Sequence, residues 1–165
     1  MRNTKTVKHV SSLVAVKNLT RRSLPSERRV FSAIAEEVLP NWDVSLVFVS
    51  AKEARALNVQ LRGKTYIPNV LSYALGPHSG EIIICLAEAE RQAPAHSMST
   101  RTFVLYLFIH GLLHVKGRAH GDIMEKCEQK LVARFLPAMP AHAGQAGATD
   151  SVRTSTHVTT HSHRH

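Results

Sequence analysis

Three histidines, His110, His114 and His120, stand in the spacing H-x3-H-x5-H, with Gly117 between the second and the third. Residues four apart on a helix share one face, so the imidazoles of His110 and His114 can reach a single ion. Gly117 can take backbone angles that other residues avoid, which lets the chain leave the helix and return His120 to the same point. Three neutral imidazoles, at about 2.0–2.1 Å, suit zinc with water in a fourth position, the arrangement of a catalytic metal. One Zn2+ per chain is therefore expected, although another divalent ion would also fit these ligands. A single histidine on a helix is usually a core or surface side chain, but three in this spacing around a glycine are hard to explain that way. The pattern also matches H-E-x-x-H-x-x-G-x-x-H of zinc proteases, where the glutamate is the general base. Here that position is Gly111, which removes the protease mechanism and leaves the metal cage intact.

A helix must carry the first two ligands. Ser99 or Thr100 caps one that runs to about Lys116, and its apolar run Phe103 to Ile109 predicts burial. Asp122 to Leu136 reads as a final amphipathic helix, with Ile123, Cys127, Lys130, Leu131 and Phe135 at helical intervals. Upstream, Val10 to Leu19 is β-prone. A helix begins near Leu24-Pro25-Ser26, carries Val30, Ile34, Ala35, Val38 and Leu39, and ends at Pro40. Trp42 to Val49 reads as a strand. Ser50 with Glu53 makes a capping box for a helix bearing Ala54, Leu57 and Leu61, which Gly63 stops. Val70 to Leu75 and Glu81 to Leu86 are two further strands around the turn from Gly76 to Gly80, and residues 87 to 91 form a brief helix.

Residues 1–9 are polar and expected to be flexible, 10–140 to form one domain, and 141–165 to be a disordered tail. The tail is rich in Gly, Ala, Thr, Ser and His, including His157, His161, His163 and His165. The whole chain of 165 residues is long enough for one real hydrophobic core. Twenty-one Lys and Arg against 12 Asp and Glu leave a net charge of +9, which favours anionic partners, nucleic acid above all. Aromatic residues make up only 5%, so recognition of RNA would rest on the backbone more than on base stacking. No apolar run approaches the roughly 20 residues of a membrane span, and no membrane partner is expected. Cys85 and Cys127 form no CxxC pair; both read as buried thiols in a reducing compartment. The first 26 residues lack acids, as transit peptides do, but Leu13 to Val16 reads as the first strand, so the segment is expected to stay and the protein to be cytoplasmic.

With Gly111 in place of glutamate, H-G-L-L-H-V-K-G-R-A-H over 110–120 resembles the signature of the YbeY family of ribosomal RNA maturation endoribonucleases, H-G-x-L-H-L-x-G-Y-D-H. Leu57-Asn58-Val59-Gln60-Leu61-Arg62 is similar to that family's L-N-x-x-Y-R. Val70-Leu71-Ser72-Tyr73 resembles its V-L-S-F, and Gly80 to Ile84 its G-D-I-x-I strand. The departures are Arg118-Ala119 for Tyr-Asp, Pro68-Asn69 for Thr-Asp, and Leu61 for tyrosine.

The resemblance implies a single α+β domain: a small mixed four-stranded sheet flanked by helices, with a metal-binding cleft. It also implies a metal-dependent single-strand endoribonuclease acting in 3′ end maturation of small-subunit ribosomal RNA and in ribosome quality control. The small subunit or its assembly factors would be partners, and no nucleotide cofactor is expected. Arg62 and His114 become the expected catalytic residues, Arg62 because a guanidinium fork matches two phosphate oxygens and keeps its charge. Arg62, Lys64 and Arg118 would bind substrate, with Lys116 a weaker candidate. Two other readings fit the residues: a metal hydrolase of a non-RNA substrate, and a non-catalytic assembly factor with a structural metal.

Overall fold

The computed structural model describes residues 13–23 and 28–136. The expected flexible segment 1–9, the tail 141–165 and the helix start at 24–26 lie outside the described residues. Four strands form one mixed sheet: β1 (Leu13–Asn18), β2 (Asp43–Val49), β3 (Val70–Gly76) and β4 (Ser79–Cys85), in the order β1-β2-β4-β3. β1 with β2 and β2 with β4 pair parallel; β3 and β4 form an antiparallel hairpin. The parallel β1–β2 pair needs a crossover, which α1 (Arg28–Val38) supplies. The central strands β2 and β4 are apolar on both faces, as strands covered on both sides must be.

Alternation along the strands divides the core. Leu46, Phe48, Ile82 and Ile84 join the larger cluster with α1, α4 (Thr100–Val115) and α5 (Asp122–Phe135). Val47, Val49, Ile83 and Cys85 face a smaller cluster with Ala54 and Leu57 of α2 (Ala51–Arg62) on the other side of the sheet. α3 (Leu86–Gln92) and the 3-10 turn Ala93–His96 lead from β4 to α4. Among the described residues no helix is long and apolar enough to cross a membrane.

α2 opens with the expected capping box. The Ser50 hydroxyl accepts the Glu53 N–H, and the Glu53 carboxylate accepts the Ser50 N–H at 2.9 Å. The Ser50 N–H and, at 2.8 Å, the Ser50 hydroxyl both donate to the Glu53 carboxylate and hold it below its usual range. The boundaries that differ most from the sequence reading flank β4. β3 and β4 run into the expected turn, leaving only residues 77 and 78 between them, and Leu86 opens α3 instead of closing β4. Leu61, counted with the apolar stripe of α2, is 46% exposed.

α4 is the spine. Ser99 caps it, its hydroxyl accepting the Thr102 N–H at 3.1 Å. It is buried on nearly all sides from Phe103 to Val115, with only Thr102 and Tyr106 part-exposed among its inner residues, which marks a helix enclosed by its own protein. Phe108 meets Phe31 of α1 edge to face at 5.0 Å. The Lys116 ammonium, just past the end of α4, donates to the Val38 carbonyl at 2.7 Å and so fastens α4 to the last turn of α1.

Candidate metal centre

Because α4 is apolar on every side, it carries two polar rings into the interior: His110 is 6% exposed and His114 is 7% exposed. Beyond Val115 the chain must turn sharply for His120 to face them. Gly117 makes that turn with φ +86. Its N–H bonds the His114 carbonyl at 2.8 Å, and the Arg118 N–H bonds the Leu113 carbonyl at 3.0 Å. This pair is a Schellman motif, in which a left-handed residue closes the helix and satisfies its last carbonyls. The ring centroids then lie 4.6 Å apart for His110–His114, 4.6 Å for His114–His120 and 5.4 Å for His110–His120. One ligand nitrogen from each ring falls within 4.8 Å of the others. His120 is exposed, so the cluster opens on its side.

The same turn orients a ligand. Nδ1 of His114 lies 2.9 Å from the Arg118 carbonyl oxygen, which can only accept, so Nδ1 carries the proton and Nε2 a lone pair. Nδ1 of His110 lies 2.8 Å from Oε1 of Glu128 on α5, and an ionised carboxylate is likewise an acceptor. Both Nε2 atoms are then lone-pair acceptors, and they face each other at 3.0 Å. Two lone pairs at that distance are reconciled by a proton on one of the rings or by a metal cation that both nitrogens bind. The donor set therefore fits a divalent metal ion, with His110, His114 and His120 as the residues that would hold it.

Electrostatics favour the ligand form, which is neutral imidazole. Burial, then the neighbouring His110 and His120, lowers the His114 pKa from 6.5 to about 4, against the opposing pull of its bond to Arg118. Burial and His110 also lower His120, although Glu128 and Glu125 oppose this. The Tyr106 hydroxyl donates to Oε2 of Glu128 at 3.1 Å. Burial first, then Glu128, raises the Tyr106 pKa, so that phenol stays a donor.

Gly111 has a packing reason. A Cβ there would lie 3.1 Å from Cγ2 of Ile82, so α4 rests directly on β4 at this point. A side chain at 111 would point into the sheet.

The three predicted ligands come together. Arg62 is the last residue of α2, half-buried, and Lys64 follows the Gly63 cap, exposed. α2 packs on the sheet face opposite α4. Arg118 touches the site through its backbone carbonyl, and it is exposed. Lys116 is occupied with α1. Sequence reasoning missed Glu128 and Tyr106. Tyr106 had a signal, since 106, 110 and 114 form one four-residue stripe on α4; Glu128 had none.

A mixed α+β sheet presenting three converging imidazoles at a helix end defines a class of protein able to hold one divalent ion in a partly open cleft. The family described as Endoribonuclease YbeY matches residues 10–135. The chain belongs to the YbeY family. It is 31% identical to Endoribonuclease YbeY of Cupriavidus metallidurans over 117 residues, 68% of this chain and 59% of that protein. It is 30% identical to Endoribonuclease YbeY of Thiobacillus denitrificans over 130 residues, 73% of this chain and 88% of that protein. The chain thus spans less than two thirds of the length of the Cupriavidus metallidurans and Cupriavidus pinatubonensis relatives, 59% and 58%. The solution structure of TM1509 from Thermotoga maritima shares the fold, with TM-score 0.54 and 21% identity over 76% of this chain and 91% of that one.

Proposed function

We propose that this protein is a metal-dependent endoribonuclease that cuts single-stranded RNA, working in the cytoplasm in 3′ end maturation of small-subunit ribosomal RNA and in ribosome quality control. The observation that carries the reading is the pair of Nε2 atoms at 3.0 Å, with the third ring completing the cluster. Membership of the YbeY family supports RNA as the substrate. So does the net charge of +9, because a phosphate backbone binds basic surfaces by counterion release. A bound divalent ion, zinc by ligand type, would supply Lewis-acid polarisation of a phosphodiester.

The chain's own residues divide the rest of the work. His110, His114 and His120 hold the ion and leave one side of it open. Arg62 clamps the phosphate as a permanent guanidinium fork, and Lys64 and Arg118 attract the strand. Gly111 brings no carboxylate to the place where zinc proteases keep their base, which argues against peptide hydrolysis.

The test incubates the zinc-loaded full chain with single-stranded ribosomal RNA fragments and with peptides, beside His114→Ala and Arg62→Glu. Cleavage of RNA that both substitutions abolish, with zinc kept by Arg62→Glu, is the expected result. Peptide cleavage lost in His114→Ala with RNA uncut would establish another hydrolase. RNA binding without cleavage under any divalent ion, kept in His114→Ala, would make the protein a non-catalytic assembly factor.

A further inference from the structure

Both imidazoles on α4 are held at Nδ1, His114 by a backbone carbonyl and His110 by a carboxylate from another helix. We infer that Glu128, held by Tyr106, is the positioning residue of the metal site, fixing His110 in the tautomer that turns its Nε2 toward the other two ligands. This deepens the functional reading, because it rests on the three histidines being a metal site.

The geometry forms a continuous relay. The Tyr106 hydroxyl donates to one carboxylate oxygen of Glu128 at 3.1 Å, and the other oxygen lies 2.8 Å from Nδ1 of His110. Tyr106 and His110 stand one helical turn apart on α4, with ring centroids 6.3 Å apart, while Glu128 reaches them from α5. Glu128 is thereby bound at both oxygens, and its side chain is only 15% exposed. A carboxylate gripped from two sides cannot swing away, so His110 cannot rotate or exchange its proton between nitrogens without breaking a charge-assisted bond. His114 gets the same service from the Arg118 carbonyl. Neither device uses the side chain at 119, so both ligands on α4 are oriented without an aspartate there. Groups that orient ligating histidines raise their basicity and fix their rings, and removing one costs about 10–100-fold in metal affinity.

The competing explanation is that Glu128 merely ties α5 to α4. Zinc affinity of the full chain, measured by competition with a chromophoric chelator, separates the two when it is read beside thermal melting of the metal-stripped protein. Glu128→Ala is expected to weaken zinc by about 10–100-fold. Glu128→Gln is expected to weaken it less, since its amide oxygen can still accept the Nδ1 proton but carries no charge. Tyr106→Phe, which keeps the ring, is expected to give a smaller loss in the same direction. If Glu128→Ala does not fold, the two conservative variants carry the test. Zinc affinity within twofold of the parent in the folded variants overturns the assignment, even if their metal-free forms melt earlier. RNA cleavage, assayed separately, keeps the two readings apart. A parent that never cuts RNA refutes the nuclease reading alone, whereas unchanged zinc affinity refutes the role of Glu128 alone.

Discussion

His114 is held neutral by its surroundings, and the consequence is a pH dependence of definite sign. Its native pKa of about 4 lies below the ordinary 6.5 of an unfolded chain. Between those values the unfolded state binds the proton and the native state does not, so acid favours unfolding. The contribution is fully present above 6.5, declines as pH falls, and is lost once the native pKa is passed. Thermal melting of metal-stripped protein stepped from neutral pH to pH ~4 is expected to show a falling midpoint; a flat profile would contradict a buried neutral ring. Gly111 yields a second outcome at this scale. Gly111→Glu sets a Cβ 3.1 Å from Cγ2 of Ile82, so stability is expected to fall by about 2 kcal/mol or more in urea unfolding, without peptidase activity appearing. The convergence of the three histidines is legible in the sequence because helical spacing is local geometry. Glu128 was not, because its bond to His110 spans 18 positions and depends on how two helices pack.

At the level of elements, the turn after α4 does two things at once. Gly117 at φ +86 ends the helix, and the Arg118 carbonyl that follows holds His114. Gly117→Ala forces an L-residue into that conformation at about 1–2 kcal/mol. It is expected to lower both the unfolding midpoint and zinc affinity, with His120 displaced. Zinc affinity unchanged in a folded Gly117→Ala would mean the ligands do not depend on the turn. Both ends of α4 could be read from the chain, since Ser99 and Gly117 punctuate it. The boundary between β4 and α3 could not. Ile82 to Leu86 is one unbroken apolar run, and only sheet pairing decides that the strand stops at Cys85. Leu61 misled for a similar reason: helical periodicity reports an apolar position, whereas exposure depends on what packs opposite.

Taken as a whole, the molecule is a basic body around a sheet whose strand order no local pattern announces. β2 lies beside β4, not β3, a pairing set by the crossover and by the two cores. The surplus charge predicts that the logarithm of RNA affinity, measured by fluorescence polarisation, falls linearly with the logarithm of salt concentration; a salt-independent affinity would mean that phosphates are not what the surface recognises. The 3.0 Å approach of two Nε2 atoms also ties any ion bound there to the folding equilibrium. The native chain gathers three imidazoles into a pincer for an ion, and a random coil holds no such pincer. Heat resistance therefore becomes a property of the solution as much as of the polypeptide. The melting midpoint will climb with the logarithm of free zinc once the site begins to fill, and a chelator will bring it back down.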